Sequence, residues 1–238
     1  MNTSYHGLQI TVEKRMGHHL GVKAFYTFSK AIEGATLENS TTMGGAEDFR
    51  NLALDRGRSD YDRRHVAVTS VIWDLTYFDK TNPVLKAVAN GWQLASSITL
   101  QSGLPFNVTT GTDVNFDGNN NDRPNLNGNP FLDPNRSRSE VTGAWFNTGA
   151  FGVPLAGADG NTQRNILTGP GSKNVDLSLT RNFKIRERMS LQARGEATNS
   201  FNLVNLSNPT GTMNSPLFGQ IRGAKDMRQL QVGLRLTF

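Results

Sequence analysis

Residues 228–238 read "RQLQVGLRLTF", and the rest of the chain is best understood outward from their alternation. Taken by twos, Leu230, Val232, Leu234, Leu236 and Phe238 fall on one side. Gln229, Gln231, Gly233, Arg235 and Thr237 fall on the other. This is the period of a strand with one apolar and one wetted face. Terminal segments fray and are polar unless something ties them down. A strand that runs out on Phe238 is therefore expected to lie flush against an apolar medium.

Upstream, six more segments alternate in the same way. Tyr5–Lys14 sets Leu8, Ile10 and Val12 against Gln9, Thr11 and Glu13, and Leu20–Lys30 puts Leu20, Val22, Ala24, Tyr26 and Phe28 on one face. Val66–Leu75 is less regular, with Ala67, Thr69, Val71, Trp73 and Leu75 as the expected outward set. Gly91–Ser102 alternates Trp92, Leu94, Ser96, Ile98 and Leu100 with Gln93, Ala95, Ser97, Thr99 and Gln101. Asn174–Phe183 opposes Val175, Leu177 and Leu179 to Asp176, Ser178 and Thr180. Met189–Thr198 opposes Leu191, Ala193 and Ala197 to Gln192, Arg194, Glu196 and Thr198.

The connections alternate as well. "RMGHH" and "KIRER" are short, and a third connection has roughly 15 residues; between them lie loops of roughly 35, 70 and 29, far above the usual length in a compact domain. Short turns at one rim and long loops at the other define outer-membrane barrels. Tyr26, Phe28, Trp73, Trp92, Phe183 and Phe238 lie near strand ends, where aromatic girdles meet the membrane interface. The opposite face bears Glu13, Lys23, Asp176, Arg194, Glu196 and Arg235. A packed soluble core rarely holds such charges unpaired, whereas a watery lumen accepts them.

Composition agrees. A net charge of +5, from 25 basic and 20 acidic residues, comes without a dense Lys/Arg run interleaved with aromatics, so nucleic acid is not an expected partner. The chain has no Cys, which excludes disulfides and thiolate chemistry. No apolar run approaches the roughly 18 residues that a membrane-spanning helix needs. A mean hydropathy of -0.46 is compatible with a barrel, in which only alternate strand residues meet lipid. The start, "MNTSYHG", has neither the basic nor the apolar region of a signal peptide. The expected fold is all-β: an antiparallel transmembrane β-barrel, C-terminal portion, with about seven long strands, short periplasmic turns and long extracellular loops. Seven is odd where bacterial single-chain barrels are even. Residues 1–238 are therefore expected to be the C-terminal segment of a larger barrel in the Gram-negative outer membrane, with the N-terminal strands and the plug domain missing.

A resemblance sharpens this. "SYHGLQITVEKRMGHHLGVKAFYTFSKAIE", "LDRGRSDYDRRHVAVTSVIWDL", "GWQLASSITLQSGLPFNVTTGTDVNFDGNNNDRPN", "WFNTGAF" and "GPGSKNVDLSLTRNFKIRERMSLQARGEATNSFNLVN" follow one another, then "FGQI" and the closing strand. In that order they resemble the C-terminal barrel half of TonB-dependent transporters of the Oar-like type. "EATNSFNLVN" departs from the family's denser aromatic cluster before its Asn-rich turn, at the loop after the sixth strand. The resemblance implies a barrel of about 22 strands with an N-terminal plug, and a periplasmic segment engaged by TonB. Neither plug nor TonB contact falls within these residues, so TonB is a partner only through the absent plug region. The closing strand also resembles the assembly signal read by the barrel-insertion machinery, with Gln231, Gly233, Leu236 and Phe238 as its marked positions.

The sharpest local motif is "DVNFDGNNND", residues 113–122. Asp113, Asn115 and Asp117 stand at positions 1, 3 and 5, Gly118 at 6 and the Asn119 carbonyl at 7, as an EF-hand-type calcium loop begins. Position 12 holds Pro124 where such loops have Glu, and Asp122 is the substitute candidate for closing a structural Ca2+ site. The bland reading is an Asn/Asp/Gly turn that binds nothing. Asp55–His65, "DRGRSDYDRRH", is read as a set of exposed local ion pairs stiffening the entry to the third strand, in preference to a gate or a substrate-facing patch. His6, His18, His19 and His65 have no metal-ligand spacing, and GxSxG, HExxH and phosphate-cradling loops are missing. An enzyme is not expected.

The functional expectation is thus a barrel wall and ligand-capturing loops of an outer-membrane transporter, with ferric chelates, oligosaccharides and peptides all open as substrates. Two rivals stay open at this point. A secreted or surface-attached calcium-binding β-sandwich for adhesion or carbohydrate binding requires the apolar faces to pack on each other. A small structural outer-membrane barrel requires an eighth strand, for which Leu217–Gly223 is the only candidate.

Overall fold

The computed structural model describes residues 3–34, 46–48, 50–76 and 82–238. Seven long strands dominate it: Ser4–Gly17, Leu20–Glu33, His65–Leu75, Trp92–Gln101, Ser172–Arg186, Met189–Thr198 and Gln229–Thr237. Each pairs antiparallel with its neighbour in the chain, so the sheet is a plain meander from first to seventh. All seven expected segments are present, and several run longer than the alternation suggested because the turns are tighter. The first hairpin bends on His18 and His19, with φ of 50° and 67°. Positive φ at both central residues matches the right-handed twist of the flanking strands.

Directly opposed residues of antiparallel strands point to the same side, so the register shows whether the seven stripes join. They do. Val22, Val71, Ser96, Leu177, Ala197 and Leu230 form one row across six strands. Leu20, Trp73, Leu94, Leu179, Gly195 and Val232 form the next. Even the irregular third strand presents Ala67, Thr69, Val71, Trp73 and Leu75 to this side. On the opposite side Glu13, Lys23, Ser70, Ser97 and Asp176 make a row, and Ala95, Ser178, Glu196 and Gln231 another. The polar face satisfies itself locally. Lys23 lies 3.5 Å from Glu13, Arg194 contacts Glu196, and the Gln93 amide donates to Asp74 at 2.9 Å.

The apolar face is not covered by protein. Val12, Leu234 and Val232 are 61%, 73% and 83% exposed. Every buried apolar residue among those described (Ala46, Val108, Val114, Phe146, Ala150, Phe151, Leu167 and Ile221) lies outside the seven strands. A sandwich is thereby overturned, because it would bury these stripes against one another. The expected aromatics sit on the uncovered face at two levels, Tyr26 and Phe28 toward the long loops, Trp73, Trp92 and Phe183 toward the short turns. The alternation did not foretell Arg181, which shares their face opposite Trp92. Its guanidinium lies 5.6 Å from the Trp92 ring centre and 4.5 Å from that of Phe183, so the aromatic rings carry the cation at the interface level.

The first and seventh strands are the edges of the sheet. Leu217–Gly223 forms no eighth strand; it makes turns and one isolated bridge, Thr210 to Phe218, and buries Ile221. The described residues therefore do not close on themselves as a small eight-stranded barrel. The helices Pro83–Ala89 and Arg138–Gly143 are short connectors, and no described helix is long and apolar enough to cross a membrane.

The two faces are separable by experiment. Ile98→Arg, mid-strand on the apolar side, is expected to cost about 2–4 kcal/mol of barrel stability in a bilayer and to reduce the folded fraction seen as heat-modifiable electrophoretic mobility. Ser97→Arg, its neighbour on the polar side, should leave that fraction unchanged.

Candidate functional site

The long connections, residues 102–171 and 199–228, are folded. Phe146 is their centre, 1% exposed, with the Phe151 and Phe218 rings edge-on at 5.6 and 5.2 Å. Val108, Ala150 and Leu167 fill the space around it, and Phe106, Leu126 and Trp145 pack on the outside. Local devices shape the approach. Ser137 and Glu140 form a capping box on the short helix 138–143, and the Trp145 indole donates to the Thr168 carbonyl at 2.8 Å. In the loop after the sixth strand, asparagines carry the fold in place of aromatics. The Asn205 side chain accepts from the Lys173 N–H at 2.7 Å and donates to the Lys173 carbonyl at 2.9 Å, so it substitutes for a strand partner.

Within this platform the acidic loop is highly organised. Asp113, Asp117 and Asp122 each bring a carboxylate oxygen to within 4.8 Å of the others. Asp113 accepts from the Asp117 and Gly118 N–H groups at 3.1 and 2.9 Å, and Gly118 takes φ of 92°, which a side chain would resist. Asp122 is fully buried. Its Oδ2 accepts from the Val114 and Asn115 N–H groups, whereas its Oδ1 has no hydrogen-bond partner among the described residues. A buried, unpaired carboxylate oxygen is costly unless something cationic meets it. Asn115 contributes differently from Asp113 and Asp117. Its carboxamide oxygen accepts from the Asp117 N–H at 3.1 Å, while its NH2 donates to the Glu47 carbonyl at 3.1 Å and to Asp159 at 2.9 Å, so it also ties the loop to two other segments. The Asn119 side-chain NH2 folds back as a donor to Asp117 at 3.3 Å, and the Asn119 backbone carbonyl is the group that position 7 of such a loop offers an ion.

Behind the acidic loop stands a residue that its spacing does not single out. Arg123, 4% exposed, contacts Glu47 and lies 2.6 Å from Asp55. It also donates to the Thr162 and Leu54 carbonyls, both at 2.9 Å. Burial pushes the Glu47 carboxyl up to about 7, against the opposing pull of Arg123. Arg164, 7% exposed, is the second such clasp, 2.9 Å from both Glu33 and Asp60. It fits because Gly57 leaves room; a Cβ there would stand 2.7 Å from the Arg164 carbonyl.

These contacts correct the reading of the Asp55–His65 run. Its acids are largely buried, Asp55 at 3% and Asp62 at 1%, and two of them pair across the fold with Arg123 and Arg164. Among the described residues only Arg58 with Asp62, at 3.0 Å, is a local ion pair of this run. The sequence holds no signal for this, since the partners are separated by an entire hairpin. Of the histidines, His65 takes a 2.9 Å hydrogen bond with the Tyr26 hydroxyl, and His18 and His19 form the first turn. In the closing strand Gln231 opposes Glu196, Gly233 opposes Arg194 and Leu236 opposes Leu191, while Phe238, 94% exposed, extends the apolar row beyond the ladder.

A wall of antiparallel strands, apolar on one side and polar on the other, tight turns at one rim and folded loops at the other, defines a transmembrane β-barrel wall. The chain belongs to the outer membrane beta barrel domain family, whose model matches residues 1–231, and the outer membrane is its location. No curated protein matches the chain.

Because the loop core is separate from the wall, Phe146→Ala should loosen the loops alone. A loss of about 3–5 kcal/mol is expected there, read as faster proteolysis within residues 102–171 at unchanged heat-modifiable mobility.

Proposed function

We propose that this chain supplies part of the wall and the outer loops of a TonB-dependent uptake barrel. The observation that supports the reading best is that, among the described residues, both edges of a membrane-facing wall have no partner strand. An open ladder in hydrocarbon leaves backbone groups unsatisfied at several kcal/mol each, so the first and seventh strands require further strands to pair with. A barrel of the roughly 22 strands that the resemblance implies has a plugged lumen, and ordered loops at its mouth are suited to holding a ligand. The chain's own part is passive, with no catalytic step: apolar residues hold the wall, the polar rows line the passage, and Ser70, Ser97, Asp176, Glu196 and Gln231 share one hollow of about 490 Å³ on that side. Gln231, Gly233, Leu236 and Phe238 serve as the strand handed to the barrel-insertion machinery. TonB acts through a plug segment outside residues 1–238. In a pull-down with the periplasmic domain of TonB, the full-length outer-membrane product should be retained and residues 1–238 alone should not. Failure of the full-length product to bind counts against the reading.

The acidic loop is assigned to calcium as a structural ion. Asp113, Asp117 and Asp122 would hold it through carboxylate oxygens, with Asn115 and the Asn119 carbonyl adjoining, and the unpaired Asp122 Oδ1 supports this. Calcium supplies charge neutralisation and stiffening there. Millimolar calcium should protect residues 113–122 from proteolysis in the wild type and not in Asp122→Asn or Asp117→Asn; equal cleavage with and without calcium would sink the assignment.

A further inference from the structure

The uncovered face carries an unexpected concentration of positive charge just above its apolar band, at the long-loop rim. A cleft of about 630 Å³ is lined there by Lys30, Ile32, Arg56, Arg58, Arg64 and residues of the 163–168 segment. The register puts the Lys30, Ile32 and Arg58 wall of this cleft on the lipid-facing flank, while Arg164 reaches it from the side of Glu33. Lys30 opposes His6 two residues beyond Phe28 on the same face, Arg58 opposes Ile32, and the Arg64 guanidinium lies 5.7 Å from the Phe28 ring centre. A second hollow, about 420 Å³, adjoins it through Ser102 and is lined by Tyr26, Ala67, Leu100 and Lys173. Leu100 opposes both Ala67 and Lys173, so this hollow also faces outward.

The charges are unequally used. Arg58 is engaged by Asp62 and Arg164 by Glu33 and Asp60. Lys30, Arg56, Arg64 and Lys173 have no acidic partner among the described residues. Cations left without counter-ions beside a greasy floor suit a ligand with an anionic head and an apolar tail. Arginine and lysine together match phosphate, the first through its planar fork and the second as a point charge. On an outer-membrane protein, the molecule with that chemistry at that height is the phosphorylated glycolipid of the outer leaflet.

We propose that this two-part groove binds such a glycolipid, with phosphate against Lys30, Arg56, Arg64 and Lys173 and an acyl chain along Tyr26, Ala67 and Leu100. The site lies on the outside of the wall, apart from the passage, and does not depend on TonB. Removing one cation near a membrane surface weakens anionic lipid binding by about fivefold.

The test uses the protein extracted from outer membranes in detergent, stripped of lipid and exposed to diphosphoryl lipid A, to dephosphorylated lipid A, or to inorganic phosphate, with bound lipid counted by native mass spectrometry. Retention of the diphosphoryl form, about tenfold or more above the dephosphorylated form and weakened by salt, is the expected result. Lys30→Gln with Lys173→Gln should reduce it by at least tenfold, whereas Arg235→Gln on the polar face should not. Equal retention of both lipids overturns the proposal. Displacement of the lipid by millimolar inorganic phosphate also overturns it, by showing a site for the free anion. The comparison of ligands on the wild-type protein decides the matter even where a variant fails to fold.

Discussion

Everything in this protein follows from having hydrocarbon on one side of a single-layer sheet and water on the other. A soluble sheet hides its apolar face under a second layer; this one leaves that face uncovered and lets the bilayer be the second layer. Hence the apolar rows that join across the register, from Leu20 to Val232, with no described protein element packed over them. Hence also the acids and bases on the reverse side, where Glu13 and Lys23 or Arg194 and Glu196 pair at low cost because water is near. A slip of one residue in any hairpin would exchange the two sets and drive these charges into lipid, so register is the quantity that the turns at His18–His19 and Glu187–Arg188 must hold.

The conventional protein core has moved to the rim. Phe146 and its neighbours are buried in the manner of a small globular domain, while the strands below have no buried apolar side chain among them. Two chemistries of stabilisation thus operate in one chain. The wall draws on lipid contact and ladder hydrogen bonds, and the loops on packing around aromatics and on the buried Arg123 and Arg164 clasps. Each clasp places a guanidinium between two carboxylates from other segments, an arrangement in which losing one partner leaves a buried charge uncompensated. Such a platform can hold a binding surface at the mouth of a barrel without help from the wall beneath it.

Legibility differed accordingly. Period-2 alternation identified all seven strands, and even the weak third segment took the side that Ala67, Val71 and Trp73 indicated, because an apolar stripe facing lipid must be uninterrupted and so writes itself into every second residue. The turn at residues 113–118 was equally visible, since Asp113, Asn115, Asp117 and Gly118 act through hydrogen bonds only a few residues long. Arg181 on the apolar face was not visible, because its acceptability depends on the Trp92 and Phe183 rings to either side. The Asp55–His65 charges were read as exposed and local for a similar reason. Nothing near them in the chain reveals that Arg123 and Arg164 arrive from the far side of a hairpin.

The strands, the face each turns to lipid and the rim at which the loops gather were written in the residue pattern, because these depend on neighbours one or two positions away. That the loops form a core, that buried arginines clasp them together, and that cations without an acidic partner among the described residues collect outside the wall above the apolar band emerged from the folded chain alone. Those features arise where distant segments meet, and the free energy of such a meeting is carried by no single stretch of the chain.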